Sequence, residues 1–500
     1  MTSNQAGGTE MTESDPRQLS SATGASARPL QRWTVVLASI GVLMTALDTL
    51  VVTTSLPVLR TSLHAGLSSL EWTVNAYNLS FACLLLTGAA LGDRFGRRRM
   101  FTIGVGVFTA ASALSAVSPS VGALIAARAF QGAGAAIVTP LTLTLISEAF
   151  PTEKRGVAIG LWGGITGLAV ALGPVVGGAI AGGISWHWIF WLNVPIGLAL
   201  MPLAARRLRE SFGPRPQLDL VGLALAGLAA LGVTWALVRA DSVGWGSVEI
   251  IGSLLAGLVL AGLFVEWERR SRTPMLPLGL FRDRTFASAN VVSFFMYAAL
   301  FGTLFLMAQF FQIALGNSPL GAGLRLLPWT AAPMIVAPIA GALSERYGNR
   351  PFMAAGLALQ TIGLGWIALI ATPGMGYLQL GLALGVAGVG ISMCFPTVAN
   401  AVMAAVPLAE AGVASGTNSM LRELGGVLGV AVLASVFARQ GVYHSPRVFI
   451  DGFTHALWVG VGLSAVGSAA ALLVPGRKRT VQASGATGAL ATREPIAEAT

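Results

Sequence analysis

Apolar runs of about 20 residues follow one another along almost the whole chain, separated by short polar or charged breaks. A helix of about 20 apolar residues crosses a bilayer. Two stretches free of Asp, Glu, Lys and Arg, 156–205 and 351–409, are too long for one crossing, and each fits two helices with a short turn. This pattern predicts about fourteen spans. The first six lie near 34–56, 73–92, 100–117, 122–147, 157–182 and 188–205. Two follow near 219–238 and 248–266, and six more near 286–314, 322–343, 352–372, 378–401, 413–437 and 453–474. A membrane β-barrel is excluded, because its strands alternate and are only about 10 residues long. The fold class expected is an all-α polytopic membrane protein.

Composition agrees. Of 500 residues, 54% are hydrophobic and 10% charged, with a mean hydropathy of +0.73. Soluble domains carry about 25% charged residues. The net charge of +10 does not point to nucleic acid, because the basic residues form short clusters between apolar runs. These clusters set orientation instead. With a cytoplasmic N-terminus, 24 of the 31 lysines and arginines fall on the inner side and five on the outer, leaving Arg128 and Arg422 inside spans. Both termini are therefore expected in the cytoplasm of a multi-pass cell-membrane protein. The first 30 residues lack the pattern of a cleaved signal. Disordered tails are expected over 1–31 and 476–500. Cys83 and Cys394 both lie in apolar runs and suit packed core thiols.

The segment Leu91-Gly92-Asp93-Arg94-Phe95-Gly96-Arg97-Arg98 recurs as Leu343-Ser344-Glu345-Arg346-Tyr347-Gly348-Asn349-Arg350. Each copy follows the second helix of a six-helix block. The repeat divides the chain into a bundle at 32–205, two intervening helices with linkers at 206–284, and a second bundle at 285–475. Duplicated blocks around a midplane site are common in secondary transporters. Asp93, Arg94, Gly96 and Arg97, with Glu345, Arg346 and Gly348, form a candidate conformational latch on the inner face. The alternative is a charged loop that only sets topology.

Three further groups carry candidate chemistry. In the fourth span, Arg128, Gln131, Gly132 and Ala135 share one helical face. A buried arginine needs a cavity, water or a carboxylate. Asp48, in the first span beside Thr45 and Thr49, is the best such carboxylate. By helical rise it lies roughly 14 Å below Pro57, taken as the outer end, and Arg128 lies about 9 Å below its own. Both fall in the outer half, so contact is expected. A carboxylate held between burial and a neighbouring arginine can load and release a proton; a permanent structural ion pair is the alternative. In the fifth span, Gly173, Pro174, Gly177 and Gly178 are spaced for close packing and a kink. Arg422 and Glu423, about 100° apart on their helix and so not obliged to pair, are candidates for coupling or for the substrate cavity, as are Gln131 and Asn193. No nucleotide-binding loop, metal cluster or hydrolase motif is present in the sequence.

The first charged turn, the fourth-span pattern Leu124-x-x-x-Arg128-x-x-Gln131-Gly132-x-Gly134 and the segment Gly173-Pro174-x-x-Gly177-Gly178 together resemble the major facilitator superfamily over about residues 30–475. Two positions depart from its patterns: Ala89 stands where the charged turn usually opens with glycine, and Ala169 replaces a glycine of the antiporter signature. Fourteen spans and the stretch 186–197, from Trp186 through Asn193 to Gly197, are similar to the drug:proton antiporter branch. The resemblance implies proton-driven export of a small hydrophobic drug or antibiotic, with no cofactor and a monomeric carrier in the lipid bilayer. It implies roles for Arg128 in proton transfer and for the fifth-span glycines in antiport. A facilitator moving another metabolite is the alternative, and a membrane-embedded enzyme a remote one.

Overall fold

The computed structural model describes residues 16–476 apart from 151, 214–218, 408–409 and 442–444. Residues 1–15 of the expected N-terminal tail and nearly all of the C-terminal one lie outside the described residues, as does the side chain of Glu345. Among the described residues every regular element is helical, and fourteen helical segments are long and apolar enough to cross a membrane.

The first bundle comprises α1 (Pro16–Ser62), α2 (Leu67–Phe95), α3 (Arg97–Ala116), α4 (Val121–Ala149) and α5 (Thr152–Gly183). Its sixth span is α6 (His187–Trp191) continued by α7 (Asn193–Arg207). The intervening pair is α8 (Leu220–Val243) and α9 (Val248–Arg270). The second bundle begins with α10 (Arg284–Gln309), which ends in a π-helical turn over Phe310–Ala314. Its second span is α11 (Pro319–Thr330) followed by α12 (Ala332–Tyr347), and α13 (Asn349–Ile370), α14 (Tyr377–Ala404), α15 (Ala411–Gln440) and α16 (Pro446–Leu472) complete it.

The first helix differs from the sequence reading at both ends. The first helix continues past Pro57 to Ser62. The missing proline N–H removes one main-chain bond, but Leu56 and Leu59 stay buried on either side of it and hold the helix in the core. The same helix begins at Pro16, inside the stretch expected to be a tail, because adding turns to a nucleated helix is far easier than starting one.

Both copies of the charged turn have the same backbone. Gly96 and Gly348 cap α2 and α12 with φ of 101° and 87°, a region that disfavours side chains. Their N–H groups donate to the carbonyls of Gly92 and Ser344 at 3.0 and 2.8 Å. We refer to the end of the molecule that carries these turns as the arginine-rich end.

The bundles meet along two seams. At one, α2 packs on α15, with Leu79, Cys83 and Val427 buried between them and α8 covering the join. At the other, α5 crosses α11 in backbone contact: a Cβ at Gly178 would overlap the carbonyl of Pro319, and one at Gly323 the carbonyl of Pro174. This crossing lies toward the end opposite the arginine-rich one. There Gln312 also donates to the carbonyl of Thr54 at 2.8 Å, tying α10 to α1.

A candidate coupling site and substrate cavity

Three helices meet at the Asp48 carboxylate. α1 supplies the carboxylate, α4 supplies Arg128 and Gln131, one helical turn apart, and α7 opens with Asn193. Arg128 forms an ion pair with Oδ2 of Asp48. Gln131 Nε2 and Asn193 Nδ2 donate to Oδ1 at 2.8 and 2.9 Å. Arg128 is held in turn by Gln131 Oε1 at 2.8 Å and by the carbonyl of Thr73 on α2 at 3.3 Å. The Asp48 side chain is 0% exposed and that of Arg128 1%. A buried ion pair is tolerated only where the remaining lone pairs and protons are also satisfied, and this one meets that condition.

The sequence reading brought Asp48, Arg128 and Gln131 toward one another by face and depth. Asn193 was a cavity candidate, and its contact with the carboxylate had no local signal. Two participants were missed. The Arg128 guanidinium lies over the ring of Tyr77, 4.2 Å from its centroid, a cation–π contact. Ser112 accepts from Asn193 at 3.1 Å and donates to the carbonyl of Phe190 at 2.8 Å, fixing the amide. Tyr77, on α2 and buried, has the aromatic face that a desolvated guanidinium requires; nothing in its sequence neighbourhood marks it.

Arg422 and Glu423 lie in the other bundle and do not reach Asp48. Arg422 sits 4.7 Å from the ring centroid of Tyr297 on α10. The two neighbours do pair, at 3.4 Å, since long side chains can bend across the 100° between them. Asn418, which shares a face with Arg422, donates to Asn290 and Ser293 at 3.0 and 2.7 Å. Positions 290, 293 and 297 thus form the matching stripe on α10.

At the arginine-rich end, Arg97 bonds Asp93 Oδ1 at 2.9 Å and forms an ion pair with Glu148 of α4. The turn is also strapped to the chain leaving α7. The N–H of Arg98 donates to Glu210 at 2.9 Å, that of Arg97 to the carbonyl of Ser211 at 2.9 Å, and that of Gly213 to the carbonyl of Asp93 at 3.0 Å. In this conformation the first copy of the candidate latch holds its own bundle and the linker to the intervening pair. Arg94 lies over Phe95 and Arg346 over Tyr347.

In the glycine segment of α5, a Cβ at Gly173 would sit 2.5 Å from Cβ of Leu50, and one at Gly177 2.6 Å from the carbonyl oxygen of Val51. Gly178 faces α11. The segment therefore packs α5 against α1 on one side and the opposite bundle on the other. Beside it, between the bundles, a narrow cavity of about 60 Å³ is lined by Leu50 and Val170 from the first bundle and by Tyr297, Phe301, Trp329 and Phe395 among others from the second.

The chain matches the family described as Major Facilitator Superfamily over residues 38–430. It is 37% identical over 410 residues to the multidrug resistance protein Stp of Mycobacterium tuberculosis, covering 82% of this chain and 76% of that protein. To the tetracenomycin C resistance and export protein of Streptomyces glaucescens it is 34% identical, covering 84% and 78%. To the multidrug efflux pump LfrA of Mycolicibacterium smegmatis it is 33% identical, covering 89% and 88%. Among solved structures it is similar in fold to a POT family transporter in complex with a thioalcohol-conjugated peptide, with a TM-score of 0.67 and 14% identity over 87% of this chain and 95% of that one. It is also similar to the Escherichia coli xylose transporter XylE in a partially occluded inward-open conformation, with a TM-score of 0.59 and 15% identity over 88% and 98%.

Proposed function

We propose that this chain, which belongs to the Major Facilitator Superfamily, is a proton-coupled antiporter that exports a small hydrophobic drug or antibiotic across the cytoplasmic membrane and so confers resistance. Export of drugs is supported by the relatives, whose names are those of resistance proteins and efflux pumps. Proton coupling rests on one observation: a fully buried carboxylate, Asp48, whose partner is an arginine on a different helix. The arginine bias supports a cytoplasmic location for the arginine-rich end and for both termini.

In this mechanism the proton and the guanidinium compete for Asp48. Protonation removes the charge that Arg128 neutralises, so the guanidinium must find other acceptors, and α1 and α4 are freed to shift. Gln131 and Asn193 stay hydrogen-bonded to the carboxyl oxygens in either state and keep the group in position. The close crossing of α5 and α11 marks a state sealed toward the outside. Opening that seal while closing the cytoplasmic face gives alternating access, with the charged turns at Asp93 and Glu345 as latches on the inner side.

The test is uphill export in vesicles with an imposed proton gradient. Asp48→Asn keeps the shape and an oxygen that can accept from Gln131 and Asn193, but it carries no titratable carboxyl, and it should abolish gradient-driven export while the protein remains folded. Full uphill export by that variant would remove Asp48 from coupling. Substrate moving with the proton flux instead of against it would replace export by uptake.

A further inference from the structure

Arg325 is the only charged residue between positions 285 and 344, and the stretch 351–409 has none. It lies on α11, near the end of the molecule opposite the arginine-rich one. Its side chain runs back toward the helix start, where it donates to Oδ1 of Asn317. The guanidinium lies 5.5 Å from the ring centroid of Tyr377, whose hydroxyl donates to the carbonyl of Arg325 at 3.0 Å. Asn317 is itself fixed, donating to the carbonyl of Phe311 at 3.0 Å. Neither Asn317 nor Tyr377 brings negative charge, and no carboxylate pairs with Arg325 among the described residues.

These three side chains line a cavity of about 190 Å³, completed by Leu315 and Met375 among others. More of its wall is polar than apolar, and no Asp or Glu contributes to it. A guanidinium in a membrane span is costly unless something compensates its charge, and its planar fork matches the oxygens of a phosphate. The depth is right for one. The span Pro319–Ser344 has 26 residues, roughly 39 Å by helical rise, against a hydrocarbon core about 30 Å thick. Its ends therefore reach head-group level, and Arg325 lies about two turns from one of them. Tyr377 opens α14 at the same end, where amphipathic rings favour the interface. Apolar surface adjoins the cavity: Leu324 and Leu378, next in sequence to Arg325 and Tyr377, are 48% and 75% exposed.

We propose that this cavity binds the phosphate of an anionic phospholipid from the leaflet opposite the arginine-rich end. Arg325 clasps the phosphate oxygens, Asn317 holds the guanidinium in place, and the acyl chains lie along Leu324 and Leu378. Zwitterionic head groups are disfavoured, because no carboxylate lines the cavity to receive their ammonium. Asn317 and Arg325 bracket the segment from Pro319 to Gly323 that crosses α5, so the lipid sits beside that crossing. The site is independent of the export reading, and its test needs no transport.

Delipidated full-length protein in detergent is tested by native mass spectrometry with dioctanoyl phosphatidylglycerol, dioctanoyl phosphatidylcholine and dioctanoylglycerol. Phosphatidylglycerol should bind about tenfold more tightly than dioctanoylglycerol, the scale of a charge-assisted hydrogen bond, with phosphatidylcholine between them. Arg325→Gln should lose the preference and Arg325→Lys keep part of it. Arg447→Gln, at an exposed arginine on α16 outside the cavity, should keep all of it. A phosphatidylglycerol with a photoreactive diazirine in its head group should label 314–317 or 374–377, which locates the site even if the Arg325 variants fail to fold. Equal binding of the three lipids, a preference that survives Arg325→Gln or falls equally in Arg447→Gln, or labelling confined to other segments would each overturn the proposal. Displacement of phosphatidylglycerol by millimolar inorganic phosphate would assign the cavity to the free anion and overturn the lipid, whereas binding undiminished in its presence supports the lipid.

Discussion

The crossing of α5 and α11 gives the sharpest test of the transport cycle. A methyl group at Gly178 would stand 2.6 Å from the carbonyl carbon of Pro319 and 2.9 Å from Cα of Leu320. At Gly323, reciprocally, it would stand 2.7 Å from the carbonyl carbon of Pro174 and 2.9 Å from Cα of Val175. All four are backbone atoms, so no rotamer change relieves the clash and the helices must part. Overpacking of this kind costs about 1–3 kcal/mol, which lowers occupancy of the sealed arrangement roughly five- to 150-fold. Two controls grade the effect. At Gly182 the added methyl meets only the Pro319 ring, at 3.2 Å, and at Gly167 nothing lies within 4 Å. Double electron–electron resonance reads the outcome. Spin labels at Ile184 and Thr372, both exposed beyond the ends of α5 and α13, report the gap between the bundles once the buried Cys83 and Cys394 are replaced. Gly178→Ala and Gly323→Ala should shift the distribution to longer distances and slow turnover, Gly182→Ala should do so weakly, and Gly167→Ala not at all. Identical distributions and rates across the four variants would refute the assignment of this crossing as a gate.

Four other outcomes follow from the same contacts. Asp48→Glu should keep partial proton-driven export in vesicles, since the titratable group is retained but displaced from Gln131 and Asn193. Arg128→Ala leaves a buried carboxylate unpaired, a loss of about 3–5 kcal/mol, and should lower both thermal stability and transport; Arg128→Lys should do better in each while falling short of normal, because lysine lacks the planar fork that reaches Asp48, Gln131 and Thr73 together. Asn193→Ala should reduce coupled export with smaller effect than Asp48→Asn, and equal rates to the unmodified protein would limit Asn193 to packing. Asp93→Ala leaves Arg97 with Glu148 as its one carboxylate partner and should slow turnover while preserving drug binding from the cytoplasmic side; Glu210→Gln, which loosens the linker strap alone, should leave binding intact and affect turnover less, as measured by the same vesicle assay.

Span number, the internal duplication and the meeting of Asp48 with Arg128 were legible because each rests on periodicity or on the high energy of an isolated charge in lipid. A helical face and a depth suffice to bring two such residues together, even though the end of α1 was placed five residues short at Pro57. Tyr77 and Ser112 were not legible, because an aromatic ring or a hydroxyl in an apolar helix is ordinary and only tertiary contact turns it into a partner. The same limit hid Glu210, whose role as a strap across Gly96 depends on the path of the linker. The pairing of Arg422 with Glu423 was missed for a different reason: backbone angle alone was considered, and side-chain length was not.

The separation of the coupling carboxylate from the cavity constrains how the two communicate. Asp48 and Leu50 stand two residues apart on α1, on nearly opposite faces of the helix. One faces Arg128 and Gln131 of α4, and the other lines the cavity and bears on Gly173 of α5. A proton arriving at Asp48 therefore need not meet the substrate. On the proposed mechanism it would loosen α1 from α4, and a displaced α1 would alter the cavity wall and the glycine face that positions α5 against α11. In the proposed mechanism, substrate and proton would be coupled through the position of one helix, without competing for one carboxylate. Such a carrier would have no need of charge on its cargo, which accords with a cavity lined by aromatic and aliphatic side chains and by no charged one.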